Sequence, residues 1–432
     1  MGDQLPCPGR LCLVVVCRQR IGASIPSPGD EGPRSRRERL AERVTGRPDR
    51  AVGGVQAHAD AVIDYFVSQG HEVIAVTPFQ ASQWVPVAAS IISKVLAPLS
   101  SSLNQRWRRR WHSRQLGRAL DALAPRLAAS SFPVVIDAQD PLTAGVALTG
   151  RRAGAVVVLT VHNAGSEAND LWWDDHIQLG DRLYRELEHH NRAVLSGIDG
   201  FIPVAGHGLE GLLLHAPMVR STPHCVLPNF LPDDWAGEPV LDTIGRRDLV
   251  TIGTLSRTKN HRFLLEVLAA ARELGFRYRL TIIGEGPMAA ELKQQWRDLR
   301  LEDQVEFLGA RGDVPDLLAL HRAYIHASFN ETFGIVLIEA MAAGLPILAA
   351  PVGAIPEVFS DGDQGRYLPL DSAEDAARVL IDFLEDAGTV EHCGKAARDR
   401  FEQEYCASVV GMRMEQFFGE LVAGSEFGRS RG

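Results

Sequence analysis

Residues 329–350 read FNETFGIVLIEAMAAGLPILAA, a glycine-opened apolar run followed by the strand-like PILAA, with Glu331 and Glu339 eight positions apart around the glycine. The run is helical in length and the following segment is short and fully apolar, as in a parallel sheet covered on both faces. Working backwards from it, AYIHASF is a strand, VPDLLALH a short helix, VEFLGA a strand and MAAELKQQWRDLR a helix. YRLTIIGEG, HRFLLEVLAAARELG and LVTIGTL continue the alternation as strand, helix and strand. Before them, CVLPNFLPDDWAGEPVLDTIG breaks the periodicity, with Pro223, Pro228, Pro232 and Pro239 acting as punctuation.

A similar alternation fills the first half. LCLVVVC is a strand, VQAHADAVIDYFVSQG a helix with apolar residues at Ala57, Val62, Ile63, Phe66 and Val67, and HEVIAVTPF a strand. A basic helix around RWRRRWHSR leads to the strand PVVIDAQ, the strand AVVVLTVHN follows, and a long helix then precedes FIPVAG. The expectation is an α/β protein of two Rossmann-like, doubly wound parallel-sheet domains facing a central cleft, residues 1–235 and 236–409. A C-terminal helix at about 410–425 packs back on the first. Residues 18–52 read as a long loop with one short helix near 35–44.

Composition narrows the classes. The 432 residues are 45% hydrophobic and 23% charged, as in a folded globular chain, and the formal net charge of −9 argues against a general nucleic-acid binder. No run of about 18 apolar residues occurs, so no membrane span is expected. LCLVVVC is short and followed at once by Arg18, so it reads as a buried strand rather than a signal-peptide core. Six cysteines without metal-type pairs read as reduced thiols in a cytoplasmic protein.

In doubly wound sheets ligands sit at the carboxyl ends of strands, and five such loops stand out. Gly53 and Gly54 open a helix, where backbone amides can approach a phosphate or sugar; a plain tight turn explains them equally. His162 ends a strand and can meet a sugar hydroxyl, or merely satisfy loop backbone. Arg257 and Lys259 follow the strand LVTIGTL, placed for a diphosphate or simply solvated. Gly284, Gly286 and Ala289 satisfy G-x-G-x-x-A with Glu306 beyond, the rival dinucleotide-binding reading. Fifth, the helix amides near Phe333, Gly334 and Ile335 form an anion site. Glu331 lies just ahead of it, and Glu339, inside apolar sequence, needs donors such as the vicinal hydroxyls of a ribose. The plain alternative is a capping acid and a solvated helix glutamate.

ETFGIVLIEAMAAGLPILAAPVGAIPEVFSDGDQG resembles the donor-site signature of the family 4 retaining glycosyltransferases with the GT-B fold, two glutamates with seven residues between them. GGVQAHA, VVIDAQDP, TVHN, VLPN, GTLSRTKN, IIGEGP and VEFLG fall in that family's order, over about residues 50–415. By this resemblance Glu339 holds the nucleotide ribose and Glu331 the donor sugar. Phe333, Gly334 and Ile335 offer amides, Lys259 binds the diphosphate, His162 contacts the transferred sugar, and Phe307 and Leu308 flank the base. Thr254 stands where the family usually has an arginine, so that either Arg257 substitutes for it or diphosphate binding is weaker than in the family. The family needs no obligatory metal, and no Asp-x-Asp motif occurs at a strand end; the acids of WWDD at 172–175 are adjacent.

The resulting expectation is a cytoplasmic retaining hexosyltransferase moving a hexose or N-acetylhexosamine from a UDP-sugar to a hydroxyl of a small polar acceptor. The acids and indoles of LWWDDHIQ suit a cationic acceptor such as an aminocyclitol antibiotic precursor. The basic RWRRRWHSR beside WVPVAASIISKVLAPL suits instead a lipid-linked acceptor and peripheral membrane contact. An NAD-binding Rossmann protein and a non-catalytic sugar-nucleotide-binding module stay open as the other classes.

Overall fold

A computed structural model of the chain describes residues 9–17, 54–78, 101–150, 154–162, 181–236 and 247–425. They form two compact units, one of residues 9–17, 55–228 and 407–425, the other of residues 54 and 229–406.

The first unit is built on a five-stranded sheet in the order β2-β1-β3-β4-β5, every pair parallel. Strand β1 (Cys12–Val16) is the run that resembled a signal-peptide core; all five residues are buried, because the strand has a neighbour on each side and helices over both faces. Helix α1 (Gly54–Ser68) leads to β2 (Glu72–Val76), and helix α2 (Ser101–Ala129) to β3 (Val134–Ala138). On α1, Val62, Ile63 and Phe66 are buried as expected, but Val67 is 49% exposed and Tyr65 takes its place on the packed face.

Between β3 and β4 (Val156–Val161) lies a helix absent from the sequence reading, α3 (Pro141–Thr149). Its apolar sequence has no polar face to betray a period, but its start is written in Asp140-Pro141. The Asp140 carboxylate accepts from the Leu142 and Thr143 amides, the Thr143 hydroxyl accepts from the Asp140 amide, and proline fills the first helical position. Helix α4 (Arg182–Leu195), β5 (Gly200–Pro203) and α5 (Gly206–His215) complete the alternation.

The unit closes with a helix from the far end of the chain, α13 (Ala407–Gly424). Phe418 lies against Phe66 at 5.6 Å, both fully buried. Glu415 accepts from the Tyr65 hydroxyl at 3.3 Å and pairs with His71 at 3.2 Å, whose Nδ1 accepts from the Leu11 amide.

The second unit carries a six-stranded parallel sheet in the order β11-β10-β9-β6-β7-β8. In chain order it runs β6 (Arg247–Ile252), α6 (His261–Glu273), β7 (Leu280–Ile283), α7 (Ala289–Asp298), β8 (Val305–Gly309), α8 (Val314–Leu318) and β9 (His321–His326). Then come α9 (Ile335–Ala342), β10 (Ile347–Ala349), α10 (Ile355–Val358), β11 (Gly365–Tyr367), α11 (Ala373–Glu385) and α12 (Ala387–Glu404). The chain moves outward from β6 through β7 to β8, then returns to β9 on the other side of β6. The strand order therefore reverses between β6 and β9, where a crevice opens at the carboxyl ends.

Among the described residues no two cysteines form a disulfide. Among the described residues no helix is long and apolar enough to cross a membrane.

Truncating Phe418 to alanine empties a fully enclosed site, so unfolding monitored by denaturant should show a loss of about 3–5 kcal/mol. A loss below about 1 kcal/mol would mean that α13 does not seal the first unit.

Candidate functional site

The reversal between β6 and β9 brings the loops after these strands together. Val250 of β6 registers with Tyr324 of β9. Beyond the strands, the Thr258 carbonyl accepts from the Phe329 amide at 2.8 Å and the Ser328 hydroxyl at 2.9 Å. Lys259 is thereby carried to Glu331, its Nζ 2.5 Å from Oε1. His326, the last residue of β9, places Nε2 2.7 Å from the same oxygen. An ionised carboxylate only accepts, so His326 carries its proton on Nε2.

Glu331 is 6% exposed and fixed at both ends. Its carbonyl accepts from the Ala354 amide at 2.9 Å. Gly353, at φ +55°, passes so close that a Cβ there would lie 2.0 Å from that carbonyl oxygen. Burial alone would raise the Glu331 pKa. The Lys259 charge and the His326 hydrogen bond outweigh it and hold the carboxyl well below its ordinary range. Beside them, burial followed by the charges of His326 and Lys259 pushes His261 down to about 3, so that ring is neutral at physiological pH.

Helix α9 starts at Ile335, later than the expected run of amides from Phe333. Gly334 is its cap in the left-handed region, φ +81° and ψ 67°. Phe333 is a buried anchor, edge-on to Tyr405 with centroids 6.0 Å apart. Glu339 lies one turn into α9 between buried Ile338 and Ala340, yet its own side chain reaches partly accessible space. Its carboxyl makes no hydrogen bond or ion pair with any other described residue, while its backbone carbonyl accepts from the Ala343 amide. Burial raises its pKa to about 8, so in the free protein it holds a proton at neutral pH.

The rival dinucleotide loop has another use. A Cβ on Gly284 would meet the Gly253 carbonyl at 1.9 Å, and one on Gly286 the Leu255 carbonyl at 2.4 Å. These glycines let the turn after β7 cross the turn after β6, which leaves no such space for a pyrophosphate. Glu306, the supposed ribose acid, pairs with exposed Arg247.

The other expected residues scatter around this cluster or lie outside it. Arg257 and Thr254 are both exposed on the turn after β6 that carries Lys259. The Phe307 ring packs edge-on to Trp296 at 5.8 Å, with Leu308 half-buried beside it. Gly54 is the first residue of α1. Gly53, the 18–52 loop, the short helix near 35–44 and WWDD lie outside the described residues.

His162 belongs to the first unit, at the end of β4, in a polar chain that sequence reasoning missed. Its Nε2 is 2.8 Å from Gln139 Oε1; Gln139 Nε2 donates to Asp137 at 2.7 Å, and the Thr160 hydroxyl donates to the other Asp137 oxygen at 2.7 Å. Because the Gln139 amide nitrogen faces the carboxylate, its oxygen accepts from His162, which fixes the Nε2–H tautomer and turns Nδ1 into an acceptor. Burial lowers His162 to about 4 and raises Asp137 to about 6, the latter against the hydrogen bonds from Thr160 and Gln139. His58 stands edge-on to His162, centroids 4.9 Å apart. The polar residues at the end of VVIDAQ were the available signal.

Two doubly wound parallel-sheet domains, with acid, lysine and histidines gathered at the strand-order reversal of the second, define a two-domain α/β protein of the GT-B class. Residues 52–234 match the family model described as Glycosyltransferase Family 4, and residues 243–400 the one described as Glycosyl transferases group 1. The chain belongs to this glycosyltransferase family. It is 30% identical over 151 residues to N-acetyl-alpha-D-glucosaminyl L-malate synthase of Bacillus anthracis, over 35% of this chain and 40% of that protein. It is 35% identical over 160 residues to phosphatidyl-myo-inositol mannosyltransferase of Mycolicibacterium smegmatis, again 35% and 40% of the two chains. These matches span less than half of either relative. In fold it resembles Anabaena HepE in complex with UDP and glucose, with a TM-score of 0.63 at 16% identity over 95% of this chain and all of that one.

Asp137 supplies a pH test. Below about pH 4 the folded and unfolded states both hold its proton; as pH rises towards 6 the unfolded state loses it first, and the fold loses stability. The raised pKa implies a loss of about 2–3 kcal/mol between pH 4 and 7. Asp137→Asn, which keeps an acceptor for Gln139, should not show that loss in melts across this range; a pH-independent gap between the two proteins would contradict the assignment.

Proposed function

We propose that this protein is a retaining glycosyltransferase that moves a hexose or N-acetylhexosamine from a UDP-sugar to a hydroxyl of a small polar acceptor. One observation carries the reading: one turn behind the capped start of α9, half-buried Glu339 has a carboxyl with no partner among the described residues, and it and Glu331 both act on the Tyr324 hydroxyl. Two vicinal ribose hydroxyls are donors that such a carboxyl lacks. The first-turn amides of α9 and the Lys259 ammonium supply positive charge where the diphosphate gains negative charge as it leaves. The reading therefore requires no metal ion. Glu331 is assigned to a hydroxyl of the donor sugar, and His162, with Nδ1 as acceptor, to the transferred sugar. Support comes from the family membership and from the Anabaena relative in fold, whose structure holds UDP and glucose.

A second reading concerns only the acceptor, a lipid-linked one at a membrane surface. On α2, Arg110, Arg114 and Arg118 recur at one-turn intervals and make no ion pair with any described residue. With Trp107 and Trp111 they line a groove of about 370 Å³. One relative is named as a phosphatidyl-myo-inositol mannosyltransferase. Tight binding to anionic vesicles would favour this acceptor over an aminocyclitol.

Calorimetric titration with UDP, UDP-N-acetylglucosamine, GDP-mannose and NAD tests the donor. Uridine ligands should bind and NAD should not; binding of NAD alone would overturn the reading. Ribose hydroxyls favour the ionised carboxyl, so UDP should expel close to one proton at pH 7, read from the buffer dependence of the heat. Glu339→Gln should abolish that release, and loss of two charge-assisted hydrogen bonds in Glu339→Ala should weaken UDP roughly 10- to 100-fold.

A further inference from the structure

Two groups meet on one oxygen of Glu331, and they differ in freedom. Lys259 sits on a turn with its side chain 27% exposed and a flexible stem. His326 is 2% exposed and ends a central strand. Its Nδ1 lies 3.4 Å from the Tyr324 hydroxyl, which donates to the Ile252 carbonyl at 3.2 Å. Tyr324 is fully buried, so the imidazole is braced from behind by β9 and β6. Both contacts fall on Oε1; Oε2 has no partner among the described residues.

We propose that Lys259 is an exchangeable partner of Glu331, leaving it for the diphosphate when donor binds, and that His326 is the positioning residue that keeps Glu331 in place when it does. This rests on the donor site proposed above. A buried carboxylate stripped of its only counter-charge is strongly disfavoured, so without a second donor Lys259 would be held back from the phosphates. The Nε2–H of His326 removes that obstacle and keeps Oε1 anchored, which leaves Oε2 directed at a sugar hydroxyl. The other ionisable groups near the cluster are His261, beside Lys259 and His326, and Tyr324 and Glu339, which face it from β9 and α9.

The test is a double-mutant cycle on UDP affinity, read by calorimetry, with thermal melts confirming that each variant folds. His326→Leu should weaken UDP about tenfold, the effect of losing one hydrogen bond to a charge. Glu331→Gln frees Lys259 and should leave UDP affinity equal or higher while turnover falls. In the Glu331→Gln background His326→Leu should no longer matter, and His326→Gln, which retains an N–H donor, should bind UDP like wild type. Equal losses from His326→Leu in both backgrounds would reduce His326 to a structural residue and overturn the exchange. So would weakened UDP binding in Glu331→Gln. Should His326→Leu not fold, the same decision falls to Glu331→Gln and His326→Gln: loss of UDP affinity in either overturns the proposal. If wild type binds no uridine nucleotide, the donor site itself fails and the exchange with it; coupling that is absent while wild type binds UDP removes the exchange alone.

Discussion

An ionised carboxylate at Glu331, almost without access to water, persists because a lysine from one strand end and a histidine from the next converge on it. That convergence depends on β6 and β9 being neighbours. The two loops are then close enough for the Thr258 carbonyl to take two hydrogen bonds from Ser328 and Phe329, and Lys259 arrives where the charge is needed. Much of the second unit serves this junction. Gly353 admits the Glu331 carbonyl, Gly284 and Gly286 let the β7 turn cross the β6 turn, and Tyr324 braces the histidine. A parallel sheet is suited to such a site because its strands all end on the same edge.

The two glutamates of the signature have opposite electrostatics although only eight positions separate them. Burial acts on both in the same direction. Glu331 has a lysine and a histidine to overcome it and stays ionised; Glu339 has neither and keeps its proton. In the first unit Asp137 resembles Glu339, but with neutral donors that only partly offset its burial. Identical carboxyls thus become an anion, a neutral donor and an intermediate case through their neighbours alone.

The alternating elements were legible because buried parallel strands are unbroken apolar runs and their helices have clear stops. Helix α3 was not, since a nine-residue apolar helix shows no period; only the Asp140-Pro141 start marks it. The glutamates and Lys259 were legible as candidates, but their pairing spans 72 positions and follows from strand order, which no local pattern encodes. His326 looked like a strand residue for the same reason. The glycines at 284 and 286 misled in the opposite sense: their motif signalled a phosphate, whereas the residues facing them are backbone from the preceding turn.

The helix that seals Phe66 and Tyr65 comes from the other end of the chain, with 350 positions between Tyr65 and its partner Glu415. On a ribosome adding about 5–20 residues per second, helix α1 with Tyr65 and Phe66 emerges roughly 20–70 s before α13 does. The domain synthesised first is therefore finished last. Its aromatic face stays uncovered by α13 while the entire second domain is translated, an interval in which that apolar surface is open to the wrong partner.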